Sequence, residues 1–259
     1  MSARSLRILI LGGTGEAVEL AARLASRADV EVISSLAGRV TNPGLPEGEV
    51  RIGGFGGSEG LRAFLLERRV DAVVDATHPF AAAISRNAFD AATAARVPLL
   101  GLERPAWEPQ DGDRWYCVGD AAEAAQVAPR LGSRIFLTLG RQTLAPFAPC
   151  ADAWFLIRAI EQPAGPLPAR HEMLLARGPF RLDDELALLR ERAIDVVVSK
   201  NRGGAATSAK IDAARELGLP VVLVSRPARP AAPTVESVAA VLTWIDARVR
   251  EREGAAWIA

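Results

Sequence analysis

Apolar residues along the chain fall into short unbroken runs. Longer stretches between them repeat alanine and leucine at helical spacing. The runs LRILIL (6–11), VEVISS (30–35), DAVVDA (71–76), VPLLGL (97–102), WYCVG (115–119), RIFLTLG (134–140), WFLIRA (154–159), DVVVS (195–199) and PVVLVS (220–225) are predicted strands. Helices are predicted over 16–27, 58–69, 80–95, 120–131, 182–193, 205–217 and 234–250. A strand that is apolar at every position is buried on both faces. Such strands alternating with helices predict a parallel α/β fold.

The pattern also repeats. DAVVDATHPFAAAISRNAFDAATAARVPLLGLERP (71–105) is similar to DVVVSKNRGGAATSAKIDAARELGLPVVLVSRP (195–227). Each runs from an Asp-led strand through a polar turn and an alanine-rich helix to a strand ending in Arg-Pro. Any two strand-helix-strand units share some of this, but the matching Arg-Pro ends and turns favour two halves of one architecture. RPAWEPQDGDR (104–114), with two prolines and several charges, is the best linker. The expectation is two Rossmann-like parallel-sheet domains, 1–108 and 109–259, with an active-site cleft between them. Ligands are expected at the C-terminal ends of the strands.

Composition narrows the function. The 259 residues carry 31 Lys plus Arg against 31 Asp plus Glu, so a nucleic-acid partner is not expected. Aromatic content of 5% argues against a platform for stacked bases. Two cysteines and two histidines without ligand spacing argue against disulfide scaffolds and metal sites. The apolar run near the N-terminus is too short for a signal core or a membrane span, so a cytoplasmic, non-membrane protein is expected. The oligomeric state is not legible; a monomer is compatible with the sequence.

LGGTGEA (11–17) joins the first strand to the first helix. Gly12, Gly13 and Gly15, with Thr14, suit a turn that sets pyrophosphate on a helix N-terminus. The spacing departs from G-x-G-x-x-G, since Val18 stands where the third glycine would fall. An ordinary glycine turn is the alternative. Glu16 opens the helix, in reach of a ribose or a nicotinamide amide. The second strand ends in SSLAGR about 20 residues on, where an NAD enzyme usually places an acid. Ser34, Ser35 and Arg39 stand there instead. Hydroxyls and a guanidinium suit a 2′-phosphate, which favours NADPH; a solvated Arg39 is the alternative. Gly53 and Gly54 in RIGGFGGSEGL (51–61) pass near the ribose or adenine, or form only a flexible turn.

DATHPFA (75–81) places Asp75 at a buried strand end and His78 beside the presumed nicotinamide. His78 could orient the ring or donate a proton. Thr77 or His78 is expected to cap the next helix, with Pro79 in its first turn. SKNRGGAATSAK (199–210) occupies the matching turn of the second half. Lys200, Arg202 and Gly203, with Thr207 and Lys210 on one helix face, predict a site for a phosphate or for substrate carboxylates. A solvated charged turn is the alternative. Arg141 and Gln142 (TLGRQTL) and Arg177 (LLARGPF) follow other strands and would add to that site. His171 is read as a surface residue.

Taken in order, ILGGTGEA, SLAGRV, DATHPFA and SKNRGGAATSAKI resemble the precorrin-6A reductase family of cobalamin biosynthesis, over nearly the whole chain. The resemblance implies NADPH-dependent reduction of one ring double bond of precorrin-6A to give precorrin-6B. It also implies two Rossmann-like domains. A macrocycle carrying several carboxylates would need scattered cations such as Lys200, Arg202, Lys210, Arg141 and Arg177. Arg202 departs from the small residue, such as Ser, expected there. Two other readings remain at this point: an NADPH reductase of a smaller acid, in the style of dihydrodipicolinate reductase, and a regulator that senses NADPH without turning it over.

Overall fold

The computed structural model describes residues 5–38 and 46–256. They divide into two compact units, one running up to Arg104 and resuming at Ala228, the other Pro105–Pro227.

The first unit contains β1 (Leu6–Leu11), α1 (Gly15–Ala25), β2 (Val30–Leu36), β3 (Glu49–Ile52), α2 (Ser58–Glu67), β4 (Ala72–Asp75), α3 (Ala82–Ala95) and β5 (Leu99–Leu102). The second contains β6 (Arg114–Val118), α4 (Ala121–Leu131), β7 (Arg134–Thr138), β8 (Trp154–Ala159), β9 (His171–Leu175), α5 (Leu182–Glu191), β10 (Val196–Lys200), α6 (Ala209–Glu216) and β11 (Pro220–Val224). The chain then returns to the first unit as β12 (Thr234–Val235) and α7 (Val238–Ala256). Each unit holds a six-stranded parallel sheet, in the orders β12-β5-β4-β1-β2-β3 and β6-β11-β10-β7-β8-β9.

The unbroken apolar strands are explained by layering. In β1, Ile8 and Ile10 face a core with Leu20 and Leu24 of α1 and Val241 and Ile245 of α7. Leu9 and Leu11 face the opposite core, with Leu61 and Leu65 of α2 and Ala88 and Ala91 of α3. Successive strand residues point to opposite faces, so a sheet covered twice needs apolar residues at both parities. In the second unit Phe136, Val197, Val221 and Leu223 pack with Leu189 of α5 and Ile211 of α6.

The two orders are the same once β1-β2-β3 is laid on β7-β8-β9, and β4-β5 on β10-β11. The repeated stretches of the sequence are therefore equivalent, β4-α3-β5 and β10-α6-β11. The sixth strand differs in origin: β12 comes from the end of the chain, and β6 precedes the rest of its sheet. The two Arg-Pro pairs mark the crossings, since one unit ends at Arg104 and the other at Pro227.

This division differs from 1–108 and 109–259. Residues from 228 onward belong with the first unit, because Thr234 and Val235 pair with Gly101 and Leu102, and Val238, Val241 and Ile245 enter its core. Neither β3 nor β9 is expected from the hydrophobic pattern. Both are edge strands made of half-buried and exposed residues, so neither carries a continuous apolar run. The stretch 205–217 is a 3-10 turn (Ala205–Thr207) followed by α6, and 234–250 is a short strand followed by α7.

Candidate active site

In an open parallel sheet the strand order reverses at one point, and the loops there diverge and leave a crevice. In the first sheet that point lies between β1 and β4. Thr14 ties the two strand ends together: its hydroxyl donates to Ala76 O at 2.9 Å and accepts from Ala17 N at 3.2 Å, capping α1. Gly13 has φ +119°, which a residue with a Cβ rarely adopts, and a Cβ at Gly13 or Gly15 would meet nothing within 4 Å. The turn therefore presents open backbone at the start of α1, where N–H groups and the helix dipole favour an anion.

Beside it lies a cavity of about 150 Å³. Gly12, Ser35, Gly53, Gly54 and Thr77 line it together, with Phe55 and Asn87, which carry no signal in the sequence pattern. A Cβ on Gly60 of α2 would lie 1.8 Å from Phe55 O, so the 53–57 loop rests directly on the helix backbone. Ser34 does not share the role of Ser35. It points to the other face of β2, and its buried hydroxyl has no hydrogen-bond partner among the described residues. Arg39 lies outside the described residues.

Asp75 is buried, and both of its oxygens are engaged. Oδ1 accepts from Thr77 N at 3.1 Å and from the Thr77 hydroxyl at 2.6 Å. Oδ2 pairs with Arg229, which also bonds Ser85 Oγ at 2.9 Å and Glu103 at 3.1 Å. This geometry makes Asp75 the residue that fixes Thr77 against the cavity. Neither Thr77 nor His78 caps α3: the helix begins at Ala82 after Ala81, without a side-chain cap, so Pro79 also precedes it. His78 instead accepts from Phe80 N at 3.1 Å through Nδ1, which places the proton of the neutral ring on Nε2. Glu16 pairs with Arg104 at 2.8 Å. Burial pushes its carboxyl up, but the Arg104 hydrogen bond and charge, with backbone and Thr14 hydrogen bonds, hold it below the usual range.

In the second sheet the order reverses between β7 and β10. Arg141 and Gln142 follow β7, Arg177 follows β9, Lys200 ends β10, and Arg202 and Gly203 follow it. Parallel strands bring all six to one sheet edge. Arg202 Nη2 lies 3.7 Å from where a Cβ on Gly140 would sit, so the β7 and β10 loops touch. Gln142 and Arg177 are exposed. Arg141 is not an isolated cation, because it pairs with Glu161 at 2.6 Å.

Lys210 does not share an open helical face with Thr207. α6 begins only at Ala209, which places Lys210 in its first turn and buries it. Its Nζ donates to Thr207 O at 2.6 Å and lies 5.0 Å from the Trp107 ring centroid. Burial, with the neighbouring Arg202 and Arg158, pushes its pKa down to about 7. Arg158 forms a buried ion pair with Glu185 between the rings of Phe136 and Phe180, at 4.7 and 3.8 Å.

The residues that shape this edge have little prominence in the sequence. Trp107 N donates to Asn201 Oδ1 at 2.8 Å, and Asn201 Nδ2 donates to Trp107 O at 3.0 Å. Arg226 donates to the carbonyls of Asn201 at 2.9 Å, Arg202 at 2.9 Å and Pro105 at 3.1 Å. A Cβ on Gly203, which has φ +66°, would lie 1.9 Å from Pro105 O. The one available signal is the Arg-Pro pair itself. His171 sits exposed on β9, its Nδ1 2.7 Å from Pro168 O.

Among the described residues, no cluster of His, Cys, Asp and Glu could hold a metal ion, and no helix is long and apolar enough to cross a membrane. The family model described as precorrin-6x reductase CbiJ/CobK matches residues 7–246. A precorrin-6A reductase of Rhodococcus erythropolis is 55% identical over 245 residues, covering 94% of this chain and 99% of the relative. A cobalt-precorrin-6A reductase of Priestia megaterium is 32% identical, covering 85% and 90% respectively. The solved structure of CobK precorrin-6A reductase superposes with a TM-score of 0.87 at 43% identity, covering 93% of this chain and 96% of that one. With the family match spanning both sheets, the chain belongs to the precorrin-6x reductase family CbiJ/CobK.

Proposed function

We propose that the protein is an NADPH-dependent precorrin-6A reductase of cobalamin biosynthesis, which reduces one ring double bond to give precorrin-6B. The single observation that carries the cofactor reading is the cavity between the 12–15 turn and the 53–57 loop. Its described lining has backbone, hydroxyl and apolar groups and the Asn87 carboxamide, and no carboxylate. An acid there would favour a ribose 2′-hydroxyl, and its absence from the described lining suits a 2′-phosphate. The open Cβ positions at Gly13, Gly15, Gly53 and Gly54 fit a dinucleotide lying against the backbone. The far higher identity to the relative named for the cobalt-free substrate supports precorrin-6A over its cobalt form.

NADPH, when bound, supplies the hydride, and the protein's work is positioning and proton handling. Gly12, Gly13 and Gly15 take the pyrophosphate with the α1 N-terminus. Thr14 holds that turn to β4, and Asp75 holds Thr77 at the cavity wall. Lys200 and Arg202, with Gly203 keeping the loop close to Pro105, receive substrate carboxylates. Arg177 and Gln142 add to the same edge. Reduction of a double bond adds one hydride and one proton. His78, with its proton on Nε2, is the donor we assign. The exposed thiol of Cys117 fits a reducing cytoplasm.

Fluorescence titration with NADPH and NADH at fixed salt tests the cofactor reading. Tight NADPH binding with much weaker NADH binding is the expected result. Binding of neither would overturn it and would favour a simple glycine turn.

A further inference from the structure

We propose that Arg51 reads the 2′-phosphate of the dinucleotide and so sets cofactor selectivity; this rests on the dinucleotide reading of the cavity. Arg51 lies on β3 directly opposite Ser35 of β2, so their side chains leave the sheet on the same face. Ser35 lines the cavity, and the Arg51 guanidinium is fixed to three more of its lining residues. Nη1 donates to Gly53 O, and Nη2 donates to Gly54 O at 2.9 Å. The guanidinium carbon stacks 4.0 Å from the Phe55 ring centroid.

The charge balance sets Arg51 apart from the ion-paired arginines of this unit. Arg7, Arg27, Arg68, Arg104 and Arg229 each face a carboxylate within 4 Å. The described partners of Arg51 are neutral: two carbonyls and the rings of Phe55 and Phe64. A guanidinium has five N–H donors, so donors remain after two carbonyls are served. Its stacked, doubly bonded placement removes most of the rotamer entropy that a flexible cation would lose on binding. A fixed guanidinium whose described partners are neutral, beside a wall of glycines and Ser35, is suited to a dianionic phosphomonoester.

A role as a loop staple alone would affect every adenine nucleotide equally. The test therefore compares 2′,5′-ADP with 5′-ADP by isothermal titration calorimetry, on wild type, Arg51→Met and Arg51→Lys. The expected result is that Arg51→Met weakens 2′,5′-ADP about tenfold or more and leaves 5′-ADP within about twofold, about 1.4 kcal/mol of selectivity. Arg51→Lys keeps the charge, loses the fork, and should fall between. Equal losses for both nucleotides, or no loss for 2′,5′-ADP, would overturn the proposal. So would a selectivity removed by Arg39→Ala and untouched by Arg51→Met. If Arg51→Met does not fold, Arg51→Lys with unchanged discrimination overturns it alone. Wild type binding neither nucleotide is a different failure, that of the dinucleotide reading itself.

Discussion

Asn201 and Trp107 hold each other by two reciprocal hydrogen bonds, side-chain amide to backbone, at 2.8 and 3.0 Å. One residue belongs to the loop after β10, the other to the segment that enters the second unit at Pro105. The Trp107 indole also donates to Gly204 O at 2.9 Å and covers Lys210. The entering segment thus serves as a fixed wall for the basic loop. Asn201→Ala removes both amide bonds and leaves two backbone groups to find water. A loss of about 1–3 kcal/mol is expected, read as a lower urea midpoint with unchanged slope. The precorrin KM should rise with little change in NADPH affinity. A variant as stable as wild type would mean that the pair carries no net weight.

Lys210 gives a pH signature with a definite sign. Its native pKa is about 7, against an ordinary lysine value of 10.5. Between these values the unfolded chain binds a proton that the native lysine has released, so its contribution to stability grows as pH rises from about 7 to about 10. Below about 7 both states are protonated, and the cost of the buried charge stands in full. Lys210→Met removes this dependence. The melting-temperature offset between variant and wild type should therefore favour the variant more at pH 6.5 than at pH 9.5. The same offset at both pH values would show that the native lysine titrates normally.

Asp75 and Arg229 form a largely buried pair, with side chains 4% and 15% exposed. Asp75→Asn leaves Arg229 to its remaining pair with Glu103 and its bond to Ser85 Oγ, and loosens Thr77; a loss of about 1–3 kcal/mol is expected. Arg229→Met should cost less in that background than in wild type, because its pair with Asp75 is already gone. Thermal melts of the two single variants and the double variant check the coupling. Additive losses would show that the pair acts through other contacts.

Gly60 sets two effects against each other. Alanine is favoured over glycine by about 1 kcal/mol in a helix interior, an upper bound for Gly60 in the first turn of α2. A Cβ 1.8 Å from Phe55 O cannot be accommodated without moving the 53–57 loop. The clash outweighs the helix preference, and it falls on the cavity wall. Gly60→Ala should weaken NADPH binding about tenfold, roughly 1.4 kcal/mol, even if α2 itself is no less helical by circular dichroism. Unchanged binding would show that the loop position does not matter to the ligand.

Much of this protein follows from local pattern. Double-sided burial forces unbroken apolar strands, so β1, β2, β8 and β11 were legible as strands and the parallel α/β class followed from them. The turn at 12–15 and the loop after Lys200 were legible because a chain needs glycines wherever backbone must approach a ligand or another loop closely. Local pattern has no access to partners brought from afar. The edge strands β3 and β9 lack a distinctive run because only the fold decides which strands are covered. The return of 228–256 to the first sheet depends on β12 pairing with β5, a contact between residues 133 positions apart in the Thr234–Gly101 pair. Ser34 and Ser35 look alike in sequence, and the pleat alone sends one to the cavity and the other into the opposite core. Lys210 reads as a surface cation until the fold buries it against Trp107. The charges that matter here are distinguished by what tertiary structure places against them: Glu161 beside Arg141, Arg229 on Asp75, and carbonyls and aromatic rings around Arg51.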